Sequence, residues 1–179
     1  TDRNPSWGFD VQVADICTTN LPNSADISTA TPEISTSNNS SSTSISVNTA
    51  DLAVSVSLAS NVITQSGSLG GTATLSNLGP GTAEDVNLVL QVPDSCALQT
   101  YNLVTTATVS SNVRAGNKVT VRLASLPANG TPSKIDFTCS ATAAAGTALA
   151  INAAVTSPTI DCSAGNDAAS ETAVVGSFP

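Results

Sequence analysis

Four cysteines, thirteen carboxylates and no histidine are the main groups this 179-residue chain offers for chemistry. Without histidine neither a Ser-His-Asp nor a Cys-His relay can be assembled. Ser133-Lys134 is the nearest approach to a Ser-Lys pair, but it stands at the entrance of an alternating run and reads as surface. Glycoside hydrolysis needs two carboxyls facing each other across a sugar. Here Asp51, Glu84, Asp85, Asp94 and Asp161 fall in loops or at strand ends, and three Phe, one Tyr and one Trp are too few to line a sugar cleft. No CxxC spacing exists, so a thiolate metal site is a poor reading. The acids of Glu84-Asp85 and of the 161–167 loop could offer hard oxygen ligands to Ca²⁺, although solvated loop acids are the commoner state. The expectation is a protein that is not an enzyme, with no catalytic residue, no metal and no cofactor.

The elements that carry these residues are strands. Leu52, Val54, Val56 and Leu58 alternate with small or polar residues, and so do Val86, Leu88, Leu90 and Val92. Val119, Val121 and Leu123 repeat the pattern, then Ile135, Phe137 and Cys139, then Leu149, Ile151, Ala153 and Val155. A period of two with one apolar face is what a half-buried strand in a two-sheet sandwich requires. Turn residues separate the runs: Gly67 to Gly71, Asn77 to Gly81, Ala115-Gly116-Asn117, Pro127 to Gly130 and Ala145-Gly146. The Ala-rich stretch from Ala141 to Ala150 has helix-forming composition, but Gly146 and the flanking alternation predict a hairpin.

Hydrophobic residues make up 40% of the chain but aromatics only 3%, so the core must be assembled from many small aliphatic contacts. Charged residues are 10%, against roughly a quarter in ordinary soluble domains, while Ser, Thr and Asn abound. With four Cys and no Met this composition predicts a secreted, extracellular or cell-surface protein. The chain starts at Thr1, which suggests a leader already removed. No apolar run approaches the about 20 residues of a membrane span. Five basic residues (Arg3, Arg114, Lys118, Arg122, Lys134) and a net charge of −8 exclude a phosphate-binding surface, so no nucleic acid is expected.

The two ends of the chain echo each other. Residues 28–47 and 154–175 both run strand, Pro-containing loop, Asn-rich turn and Ser/Thr/Val strand. Aligned on Pro32 and Pro158 the offset is 126, and on Cys17 and Cys139 it is 122. Within residues 50–176 the motifs follow one another in a suggestive order. Ala50-Asp51-Leu52-Ala53-Val54 opens, a Thr-rich strand ends in Asn77-Leu78-Gly79-Pro80, Val86 to Pro93 follows, then Leu126-Pro127-Ala128-Asn129-Gly130, then Asn166-Asp167. This order resembles the Ig-like bacterial and archaeal surface repeats catalogued as domain of unknown function eleven. Those repeats commonly carry Asp-Pro-x-Pro before the final turn, where this chain has Asp161-Cys162-Ser163-Ala164. The resemblance implies a fold and an extracellular setting, not a chemistry.

The predicted architecture is all-β: an immunoglobulin-like antiparallel β-sandwich over 50–179 with an N-terminal strand-bearing extension over 1–49. The extension looks like the closing strands of a half-repeat, with Phe9, Val11 and Val13 in one strand, Ala25 to Thr31 in the next and Thr43 to Val47 in the last. Three cysteines in the sandwich (Cys96, Cys139, Cys162) make an odd number, so full pairing requires Cys17 to reach one of them. Strand parity puts Cys139 on the face of Ile135 and Phe137 and Cys96 on that of Val86 to Val92. Parity favours Cys96–Cys139 and leaves Cys17–Cys162, with the other connectivities open.

An incomplete sandwich exposes unpaired edges. The arm could belong to a tandem array, fold back on its own sandwich, or complete a neighbour by strand addition. The leading expectation is a structural subunit of an extracellular filament, pilus-like fibre or surface layer, a homopolymer with copies of itself, with Trp7, Phe9, Val11 and Val13 in the assembling arm. The alternative is an adhesin or stalk module of a tandem-repeat surface protein that binds glycan or protein. Sequons at Asn38, Asn39 and Asn129 could carry glycans.

Overall fold

In the computed structural model, which describes residues 8–10, 17–18 and 20–177, the alternating runs form two sheets facing each other across an aliphatic core. Two strands stand apart, β1 (Asn20–Asp26) and β2 (Ser40–Ser46), and form a hairpin of their own. The sandwich follows with β3 (Thr49–Ala50), β4 (Leu52–Leu58), β5 (Val62–Thr64), β6 (Ser68–Asn77), β7 (Ala83–Gln91) and β8 (Cys96–Val104). It continues with β9 (Val109–Ala115), β10 (Lys118–Leu126), β11 (Ser133–Ala141), β12 (Ala148–Thr156), β13 (Ile160–Asp161) and β14 (Ala168–Gly176). One sheet has the order β5-β14-β12-β7-β10-β9 and the other β4-β6-β11-β8. Pairing within both is antiparallel except where β5 runs parallel to β14.

Each strand sends its alternate aliphatics inward. Val86, Leu88 and Leu90 of β7, Val119, Val121 and Leu123 of β10, and Leu149, Ile151, Ala153 and Val155 of β12 meet Leu69, Ala73 and Leu75 of β6 and Ile135, Phe137 and Cys139 of β11. Fully burying one Val, Leu or Ile side chain stabilises by roughly 1.5–3 kcal/mol, so many such contacts replace the aromatics the chain lacks. Cys96 and Cys139 are both buried and form a disulfide, with Cα atoms 5.5 Å apart. The bond joins β8 to β11, neighbours in one sheet, so it staples an edge strand to the sheet interior rather than joining the two sheets.

Three sequence expectations are revised. The Ala141 to Ala150 segment is strand, turn and strand with Gly146 at φ +88°, but its strands β11 and β12 lie in opposite sheets. It is therefore an arch across the core and not a hairpin. Only the first part of the Gly67 to Gly71 stretch is a turn, because Gly70 and Gly71 lie inside β6. In the arm, the strand expected over Ala25 to Thr31 is β1 at Asn20–Asp26, and residues 27–39 form the connection. Its backbone partners run back to Asn20, a segment whose Pro22 and Asn23 hid the strand from pattern reading. Polar residues on both faces likewise concealed β9, all of whose residues are exposed.

Gly71 shows why a glycine stands inside a strand. It pairs with Phe137 on one side and Leu58 on the other. A Cβ there would lie 2.6 Å from Phe137 Cζ and 2.8 Å from the Ser57 carbonyl oxygen. The phenyl ring occupies the place a side chain would take. Gly71→Val is expected to lower stability by roughly 1–3 kcal/mol through overpacking, read as a shift in urea midpoint, and Phe137→Leu in the same chain should recover part of the loss.

Candidate interaction surface

The arm is the feature the sandwich does not absorb. Its two strands pair over seven positions, from Asn20↔Ser46 to Asp26↔Ser40. Every residue of β1 and β2 is exposed except Leu21, which is partly covered. Ile27 is 68% exposed and Ile45 60%. Of the residues expected to drive assembly, Phe9 is described and lies 70% exposed outside any strand, whereas Trp7, Val11 and Val13 lie outside the described residues. Among the described residues of the arm, Ile27, Ile34 and Ile45 also present apolar surface, and Leu21 does so in part. Asn38 is exposed and Asn39 partly covered in the loop at the arm's tip, while Asn129 sits exposed in the β10–β11 turn at φ +51°.

The base of the arm is held firmly. β2 ends at Ser46, and three residues later β3 runs parallel to β13, pairing Thr49 with Ile160 and Ala50 with Asp161. The loop after β6 closes over this short strand. Asn77, 2% exposed, accepts the N–H of Gly79 at 3.1 Å and that of Asp51 at 3.3 Å on its Oδ1. Its Nδ2 donates to the carbonyls of Leu126 at 2.8 Å and Gly81 at 2.9 Å. All four hydrogen-bonding positions of the amide are therefore in use. A Cβ on Gly79 would stand 2.3 Å from Asp51 N, and one on Gly81 would stand 2.1 Å from Asn48 Oδ1. The Asn-Leu-Gly-Pro-Gly run thus works as a clamp whose glycines let two backbones touch.

The 157–167 loop closes the junction from the other side. Asp161 accepts the N–H of Leu52 at 2.7 Å on one oxygen and that of Ser163 at 2.7 Å on the other. Asn166 Nδ2 donates to Asp51 Oδ1 at 2.9 Å, and the Cys162 N–H donates to the Ala50 carbonyl at 2.7 Å. Cys162 is also bonded to Cys17, with Cα atoms 5.2 Å apart. Cys17 lies three residues before β1, so both strands of the arm are tethered at the same end, one by a disulfide and one by the clamp.

Two arginines elsewhere are engaged locally. Arg122 makes a two-pronged pair with Asp85 at 2.5 Å, which holds the Asp85 carboxyl below its ordinary range and raises the guanidinium. The pair floors an open depression of about 460 Å³ that Asn87, Thr156, Ser157 and Pro158 complete. Arg114 reaches from β9 to the carbonyls of Leu98 and Gln99 on β8, closing one side of the sandwich. Among the described residues no group of three or more His, Cys, Asp or Glu is arranged to hold a metal ion.

Asp167 differs from the other acids. Burial, and then the charges of Asp161 and Asp51, push its carboxyl above the ordinary range. Its Oδ1 is buried without a hydrogen-bond partner.

No protein-family profile matches the chain, and no curated protein sequence matches it. Solved structures do. The solution structure of the CARDB domain of a Pyrococcus furiosus protein matches with a TM-score of 0.51 at 14% identity, over 73% of this chain and 98% of that one. A non-cellulosomal cohesin from Archaeoglobus fulgidus matches with a TM-score of 0.46 at 13% identity, over 71% and 92%. The collagen-binding domain of a Staphylococcus aureus adhesin matches with a TM-score of 0.46 at 11% identity, over 68% and 96%. At these identities the likeness is one of fold. The chain carries an immunoglobulin-like β-sandwich.

Two outcomes test the junction. Asn77→Ala leaves buried backbone groups without partners and should cost roughly 2–4 kcal/mol in chemical denaturation. Asp167 loses its proton more readily in the unfolded chain than in the folded one, so its penalty grows as pH rises through the window between the ordinary and the raised values. Asp167→Asn is therefore expected to raise the Tm at neutral pH, with the difference closing once the pH falls below the ordinary carboxylate range.

Proposed function

We propose that this chain is an extracellular structural subunit of a filament, pilus-like fibre or surface layer, not an enzyme, and that it assembles through its N-terminal arm by β-strand addition. The observation that carries this reading is the arm itself: a solvent-exposed hairpin with Leu21 and Ile45 paired on one face, anchored at its base by a disulfide and a hydrogen-bonded clamp. A two-stranded hairpin is marginal in water on its own, and anchoring its base holds the strands where a partner can meet them.

Two further features support the setting. All four cysteines are paired, as in an oxidising compartment. No helix among the described residues is long and apolar enough to cross a membrane. The order of the Ala-Asp-Leu, Asn-x-Gly-Pro and Asn-Asp motifs adds the resemblance to domain-of-unknown-function-eleven surface repeats, and residues of all three motifs meet at the junction.

A second reading is an adhesin or stalk module of a tandem-repeat surface protein that binds glycan or protein. The open depression beside Asp85 and Arg122 is what favours it.

Removing residues 1–48, with Cys162→Ser to avoid a free thiol, tests the first reading. The truncated sandwich should stay monomeric by light scattering under conditions where the full chain forms higher species. Unchanged assembly would sink the strand-addition reading, and retention of the truncated monomer on a glycan array would favour the second.

A further inference from the structure

The arm and the last two long strands of the sandwich are the same hairpin built twice. β12 and β14 pair over seven positions, from Ala148↔Val174 to Ala154↔Ala168. Against Asn20↔Ser46 and Asp26↔Ser40 the differences 148 − 20, 174 − 46, 154 − 26 and 168 − 40 all equal 128. The agreement runs one hydrogen bond further. The Ile27 N–H donates to the Asn39 carbonyl at 2.9 Å, and the Val155 N–H donates to the Asp167 carbonyl at 2.8 Å, again 128 apart. This register replaces the offsets of 122 and 126 read from the cysteines and prolines, which are not counterparts: Cys17 answers to Ala145, and Pro32 to Ile160.

The shared register says what the arm's exposed face is for. Leu149, Ile151, Ala153 and Val155 of β12 and Ala173 and Val175 of β14 point inward and are no more than 3% exposed. Their counterparts in the arm are Leu21, Asn23, Ala25, Ile27, Ile45 and Val47, five of the six apolar. In the sandwich these positions pack against β4 and share one core cluster with the inward residues of β6 and β11. In the arm they meet solvent, apart from the partial cover of Leu21 and Val47.

The tip of the arm corresponds as well. Glu33, Asn38 and Asn39 hold the places of Asp161, Asn166 and Asp167, the residues that close the sandwich's own junction.

We propose that β1–β2 is the closing hairpin of a second sandwich, whose opening strands come from a segment of the same repeat type as residues 49–144 of this chain. The sandwich at 49–177 already holds its own closing hairpin in that place, so a copy of this chain can take the arm only by giving up its own β12–β14, and the partner that fits without exchange is a unit that lacks one. This deepens the reading of the arm as the assembling element and rests on it for the arm's role, though not for the register. Six inward positions, five of them apolar, are a surface that strands like β4, β6 and β11 would cover; Asn23 interrupts it, and Thr43 and Ser41, opposite Asn23 and Ala25 on the same face, hold the places of the exposed Glu171 and the partly covered Ala169.

A graft tests it. Residues 49–144 are placed directly ahead of Cys17 in an otherwise unchanged chain, following the counterpart relation of Cys17 to Ala145. Hydrogen exchange is then measured at the arm amides, Leu21 to Asp26 and Ser40 to Ser46, in the graft and in the native chain. In the graft these amides should slow by roughly 1,000-fold or more, the step from a fraying hairpin to strands that open only globally. Asn23→Ile should slow them further. Leu21→Asp with Ile45→Asp should return them to native-chain rates while β7, β10 and β12 of the original sandwich stay protected.

Arm amides that exchange as fast in the graft as in the native chain would overturn the proposal. So would protection that survives the double aspartate variant, or protection already present in the dilute native chain. If the graft fails while removal of residues 1–48 abolishes assembly, strand addition stands and only the partner is wrong. If the graft succeeds while that removal changes nothing, the register is right and the filament reading fails.

Discussion

The side chain of Asn77 is the point on which the rest of the architecture turns. One buried amide binds the end of β6, the Gly79–Gly81 loop, the start of β4 and the end of β10. These four pieces belong to both sheets and to the junction with the arm. Because a buried amide left half-satisfied is costly, the loop has little freedom to adopt another geometry, and Gly79 and Gly81 remove the side chains that would obstruct it. The sandwich supplies burial; this amide fixes how its open end is tied to what precedes it.

The sandwich was legible in the sequence because its strands are half-buried. Alternation in Leu52 to Leu58, Val86 to Val92, Val119 to Leu123, Ile135 to Cys139 and Leu149 to Val155 marks strands that the structure also contains. Parity then put Cys139 on the buried face, where it meets Cys96. What stayed hidden were strands whose neighbours do not enforce alternation. β9 has no buried face and β5 is three residues long. The arch between β11 and β12 read as a hairpin because turn residues report a reversal of direction and not which sheet the next strand joins.

The arm was legible only in part. The echo between the chain's ends pointed to strands in the arm, but proline and cysteine were poor anchors for alignment. Backbone pairing is the stricter ruler, because a one-residue slip would exchange the faces of a strand. Under that ruler the apolar positions of the arm fall where buried positions fall in the sandwich. The clamp was quoted in the sequence as an Asn-x-Gly-Pro motif, yet nothing in its spacing announced that it would grip residues 48–51. Contacts between segments distant in sequence appear only when the chain is folded.

The Cys17–Cys162 bond encloses most of the chain, and Cys96–Cys139 lies wholly within the enclosed segment. Tension applied between the two termini would therefore cross from residue 17 to residue 162 through sulfur. The backbone of β1 to β13 sits off that line, so pulling cannot draw it out while the bond holds. Outside the enclosed segment, β14 is the strand among the described residues that lies in the path of the force. A module wired in this way carries load past most of its fold, so that of its described strands β14 alone is open to extension.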